Sequence, residues 1–185
     1  NGQYMARVSV VAVSTSIVVS YVNALRQVGL EPTLCMSESQ ASAYAIIPKN
    51  SKNVSVIVHV HKKSAGIYVA DSNIVEFSTV VSISSDPLSV EMDIKSIKSE
   101  LARALEYSTS KLQIKSPELA NITCYLCGEA VILKGLKEEI NEMDGLTPVF
   151  GNVWLNLFSL ETYVPQITFE DSLQLASAAG LFGPD

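Results

Sequence analysis

Residues 54–71, VSVIVHVHKKSAGIYVAD, decide the fold. Val54 to Val60 is a short β-branched run, the pattern of a strand rather than of a helix. Two lysines and Ser64 interrupt it, and Ala65 to Ala70 is a second run. Asp71-Ser72-Asn73 supplies tight-turn residues ahead of a third, Ile74 to Val81. Apolar runs joined by short polar turns predict a three-stranded meander.

Upstream, Pro48-Lys49-Asn50-Ser51-Lys52-Asn53 is the most polar stretch of the first half and the best boundary candidate. Before it, Arg7 to Val13 reads as a buried strand, and Ser14, Thr15 and Ser16 as helix N-caps. Ile17, Tyr21, Leu25 and Val28 follow at helical spacing, with Gly29 closing the helix. Thr33 to Met36 reads as a strand. Ser37-Glu38-Ser39 then opens a small-residue helix, Gln40 to Ile47, which Pro48 ends.

Downstream, Asp93 is the expected cap of a helix turning Ile94, Ile97, Leu101 and Ala104 or Leu105 inward. Asn121 to Leu126 reads as a strand, Gly135 to Met143 as a helix, and Pro148 to Phe150 as a short strand. Phe169, Leu173, Ala176 and Gly180 mark one face of a last helix. The order predicts an α/β chain.

Composition narrows the classes. Hydrophobic residues make up 48% and charged residues 17% of the 185, too apolar for a disordered chain. The formal net charge is −6, and the arginines are Arg7, Arg26 and Arg103, which argues against nucleic acid. The richest apolar stretch, Val8 to Val22, is broken by serines before it reaches the length of a membrane span. Three cysteines and no visible signal peptide predict a soluble cytoplasmic protein. Beginning at Asn1 rather than Met, the chain reads as a fragment or a processed form.

Few constellations carry chemistry. Cys124-Tyr125-Leu126-Cys127 is a C-x-x-C, but on a strand its sulfurs point to opposite faces, so plain core cysteines are expected. His59 and His61 are the two histidines, two apart on a strand and so on one face. They could share a metal if a distant acid such as Glu38 supplied a third ligand; the competing reading is a polar strand end, and no metal is assigned. The sequons at Asn53 and Asn121 open apolar strands and read as chance. Motifs alone yield no catalytic centre.

Four stretches in this order resemble the actin-like (ribonuclease H-like) ATPase superfamily, and within it the PilM type of type IV pilus assembly protein. They are Val11 to Glu38, where a strand, a helix ending Val28-Gly29-Leu30 and a strand lead to Ser37-Glu38-Ser39-Gln40-Ala41-Ser42-Ala43; the meander Val54 to Val81; Leu126-Cys127-Gly128-Glu129-Ala130-Val131-Ile132-Leu133-Lys134-Gly135-Leu136; and Ala178-Ala179-Gly180-Leu181. Glu100 and Tyr107 also fit the family's helix between the second and third. The resemblance implies the end of domain I at residues 1–50 and a nearly complete domain II at 51–185.

It also implies roles. Glu38 corresponds to the family's water- or Mg-orienting acid, the catalytic position. The second phosphate loop, Asp-x-Gly followed by Thr, becomes His59-Val60-His61 with Ser64 in place of the threonine. The adenosine loop keeps Gly128 and Gly135 but has Glu129 for its second glycine. A side chain at position 61 obstructs backbone approach to phosphate, and Glu129 puts charge where adenosine packs. The expectation is a cytoplasmic scaffold that has lost ATP hydrolysis, an enzyme in ancestry more than in activity. It would bind a membrane-anchored pilus or secretion protein through a short cytoplasmic peptide, and so associate indirectly with the inner membrane; self-association stays open. The alternative is an active ATP- and Mg2+-binding protein of pilus, cell-division or chaperone type, with Lys62 or Lys63 supplying charge to a phosphate.

Overall fold

The computed structural model describes residues 10–84, 86–111, 121–159 and 161–182. The meander forms as expected: β1 (Val54–Val60), β2 (Ser64–Asp71) and β3 (Ile74–Ser82) run antiparallel, and Ser72 takes the positive φ of the tight turn. β4 (Ile122–Gly128) adds to β1 in parallel, and β5 (Leu146–Phe150) adds to β4 in parallel. The sheet order is β3-β2-β1-β4-β5, which makes β1 the central strand and explains why it is apolar on both faces.

Alternation along β1 assigns the two faces. Val54, Val56, Val58 and Val60 join the larger core with α3 (Val90–Lys111) and α4 (Ala130–Asn141). Ile57 faces the other way, toward α2 (Glu38–Ile46) and the short C-terminal helix α6 (Ala176–Gly180), which lies on α2, whereas α5 (Phe169–Ser172) borders α4 and Leu173 after it joins the first core. The cysteines divide as expected, Cys124 into the first core and Cys127 into the second. Both helices of the first face bury an apolar stripe: Ile94, Ile97, Leu101 and Ala104 of α3, and Ile132, Leu133, Leu136 and Ile140 of α4.

Three boundaries differ from the sequence reading. α3 begins at Val90, after a turn of tighter helix at Pro87–Ser89 whose cap is Asp86. Asp93 lies inside α3, where its carboxylate accepts a bond from the Ser84 N–H at 2.9 Å. α4 starts at Ala130, so Gly135 is mid-helix: a Cβ there would sit 2.8 Å from Ile94 Cδ1, and glycine lets α3 and α4 approach. The last helix is broken into α5 and α6, and Phe169 is exposed while Leu173, Ala176 and Gly180 are buried.

The contacts divide the chain into Asn1–Ser37 and Glu38–Asp185. The first unit holds α1 (Thr15–Gln27), which Ser14 precedes and Gly29 closes at φ +81°. Ile17, Tyr21, Leu25 and Val28 form the expected stripe but are exposed. Residues 10–13 and 33–36 are not strands, because no neighbouring strand offers them a ladder among the described residues; the rest of the Arg7 to Val13 reading lies outside those residues. Compactness places α2 with the sheet.

Candidate functional site

The site forms where β1 ends and α2 begins. His59 and Ile57 share a face, so the imidazole points toward α2, and His61, just past the strand, stacks beside it with ring centroids 4.2 Å apart. The turn is closed by the His61 N–H, which donates to the Ser64 carbonyl at 2.8 Å; this backbone bond is what Ser64 contributes. Across the ladder from His59 stands Gly66, and its missing side chain leaves room for the Tyr68 ring.

α2 is held at both ends. Near its start the Gln40 amide donates to the Asn73 carbonyl at 2.7 Å and its oxygen accepts the Val75 N–H at 3.1 Å. At its end the Asn156 amide donates to the Tyr44 and Ile47 carbonyls, both at 2.7 Å. This clamping fixes Glu38, the first residue of the helix. Its Oε1 lies 2.8 Å from His61 Nε2 and 3.5 Å from His59 Nδ1. One donor atom from each of Glu38, His59 and His61 lies within 4.8 Å of the others.

Burial sets the protonation. His59 is 1% exposed, and its pKa is pushed down to about 4, by desolvation first and by His61 second, so it is neutral at pH 7. Its Nδ1 lies 3.2 Å from the Ser42 hydroxyl, one turn along α2 from Glu38. Burial first, then the Glu38 charge, pushes both the Tyr68 phenol and the Cys127 thiol up. His61 Nε2 is buried, yet the nearby carboxylate oxygen lies outside its hydrogen-bonding direction, so the nitrogen has no hydrogen-bond partner. A short separation without alignment is a contact that the ring does not complete.

The remaining predicted residues lie on the other side of His61. Gly128 ends β4 at φ +105°, and a Cβ there would be driven into the Val60 carbonyl; no other residue suits both constraints. Glu129 precedes α4, donates its N–H to the Val60 carbonyl at 2.9 Å and makes no side-chain cap. With His61, Lys62, Asp86 and Asp93 it borders a cavity of about 300 Å3. Asp93 is buried, and its Oδ2 is without a hydrogen-bond partner. Gly135 lies off this cavity, in the α3–α4 contact.

The structure therefore brings Glu38, His59 and His61 together and sets Glu129 apart with Asp86 and Asp93. Sequence reasoning missed Ser42, Tyr68 and Asp93. Ser42 was open to inference, since i and i+4 share a helix face. Asp93 was read as a cap, and its burial has no local signal.

No protein-family model and no curated protein sequence matches the chain. Among solved structures, a "PilM-PilN type IV pilus biogenesis complex" matches with TM-score 0.54 and 18% identity, covering 89% of this chain and 56% of that one. The ethanolamine utilization protein EutJ from Carboxydothermus hydrogenoformans gives TM-score 0.48 and 16% identity, covering 86% of this chain and 58% of that one. The chain thus spans less than two thirds of the length of either. With its mixed five-stranded sheet and flanking helices, it has the PilM-type α/β actin-like fold.

Proposed function

We propose that this chain is the actin-like portion of a scaffold protein in a type IV pilus or related secretion machine. In this reading it is cytoplasmic, holds a membrane-anchored partner through a short peptide, and no longer hydrolyses ATP. The likeness to the PilM structure, which was solved with PilN, supports the pilus assignment. No helix among the described residues is long and apolar enough to cross a membrane, which fits attachment through a partner.

The observation that carries the loss of hydrolysis is His61. Its ring packs between Glu38 and the cavity, at the position the family gives to a glycine beside phosphate. Asp86, Asp93 and Glu129 border the same cavity, and three carboxylates repel a triphosphate. The residues present fit Mg-ATP poorly. Gly128 does not offset this, since the Val60 carbonyl alone accounts for the glycine.

Calorimetric titration of the full-length protein with ATP and Mg2+ tests this reading. The expected result is no Mg2+-dependent binding at micromolar protein. Tight Mg2+-dependent binding supports instead an active ATP-binding protein with Lys62, which borders the cavity, near the phosphates. The partner half is tested separately by pull-down from membranes of the source cell. Recovery of a membrane-anchored pilus or secretion component is expected, and failure to recover any counts against the scaffold.

A further inference from the structure

We propose that Glu38, His59 and His61 form a binding site for a divalent transition-metal ion of the Zn2+ class, independent of nucleotide. The three donors come from two elements of one compact unit, the start of α2 and the end of β1. Donors around a tetrahedral ion with bonds of about 2.0–2.1 Å stand roughly 3.3 Å apart. The two separations from Glu38 Oε1, 2.8 and 3.5 Å, bracket that value. All three donors fall within 4.8 Å, so small side-chain rotations bring them onto one ion, with the His59 Nδ1 lone pair exchanging the Ser42 hydroxyl for the metal.

Two further features favour an ion over a simple ion pair. His61 Nε2 is buried and has no hydrogen-bond partner although a carboxylate oxygen is beside it. A protonated imidazole would aim its N–H at that oxygen; a lone pair aimed at a shared ion would not. The donor set is also chemically selective. Two imidazoles and one carboxylate suit zinc, iron or copper, whereas Mg2+ demands oxygen donors. Three protein ligands leave a fourth position for water or a ligand atom. The proposal does not rest on the scaffold reading, since an ion here neither requires nor prevents partner binding.

The test uses the full chain carrying Cys35→Ser, because exposed Cys35 is the obvious adventitious ligand. Zn2+ is titrated by calorimetry in excess Mg2+, and Co2+ is followed by its visible d–d bands. Expected is one equivalent of Zn2+, unaffected by Mg2+, with a four- or five-coordinate cobalt spectrum. Glu38 and His61 are partly exposed, so Glu38→Gln and His61→Ala keep the fold and test the site even if the buried His59→Ala variant does not fold. Each should weaken binding by more than the about 10–100-fold that loss of a supporting residue costs. The proposal is overturned if the parent retains no stoichiometric ion, or if both variants bind as tightly as the parent. Failure here leaves the ATP and pull-down results unchanged, so the two readings are separable.

Discussion

The two faces of the sheet are built on different principles. Toward α3 and α4 the core is made of volume: Val, Ile and Leu side chains from the sheet and its covering helices interlock. Toward α2 and α6 it is made of closeness, with Ala41, Ala43, Ala45, Ala176, Ala179 and Gly180 letting helices lie almost backbone to backbone. Gly180 is the extreme case, since a Cβ there would be driven into the Ala41 carbonyl. The difference explains where polar groups sit. Ser42 and His59 are buried on the second face, beside each other, where small residues leave room for a hydrogen-bonded pair. The site is also at the carboxyl ends of the parallel strands β1 and β4, the edge where open α/β sheets place ligands.

The largest effect should come from emptying the first face. Leu133 is fully buried, and Leu133→Ala should cost about 2–5 kcal/mol in denaturant unfolding. The second face should break by filling instead. Gly180→Val should cost about 1–3 kcal/mol, because the obstacle is the Ala41 backbone and α6 must move away from α2. The pair of variants tests whether the faces are independent. They lie on opposite sides of one sheet and share no partner, so their costs should add within about 0.5 kcal/mol. Strong coupling would mean that the sheet transmits strain and that the two cores act as one.

These principles were unequally legible in the sequence. The meander was readable because β-branched runs and turn residues specify it locally. The α3 and α4 stripes were readable in part, but Gly135 misplaced the start of α4; its reason is Ile94 on another helix, which no local pattern reveals. Residues 10–13 and 33–36 have strand composition and no strand, since a ladder is a property of two segments. The candidate site was half legible. Period two placed His59 and His61 together, and Glu38 was named as the available acid. That α2 would fold back over β1 depends on Gln40, Asn156 and the Ala face, contacts made across more than thirty residues.

The smallest effect belongs to the rim of the first face, where charge rather than volume joins the helices. Lys98 of α3 donates to Glu139 of α4 at 2.7 Å. That bond, more than the charge behind it, holds the Glu139 carboxyl below its ordinary value and, reciprocally, raises the Lys98 ammonium. A depressed carboxyl stabilises the fold above its unfolded value, and the contribution is lost as pH falls through the folded one. A raised ammonium stabilises below its unfolded value and is lost as pH rises through the folded one. Lys98→Met should therefore lower the melting temperature slightly at neutral pH. The difference should shrink in molar salt and vanish in acid once Glu139 is protonated. Leu133→Ala should keep its full cost across the same range, since no proton is involved. If the Lys98→Met difference instead persists unchanged into acid, the lysine acts through the packing of its stem, and the rim obeys the same rule of volume as the core beneath it.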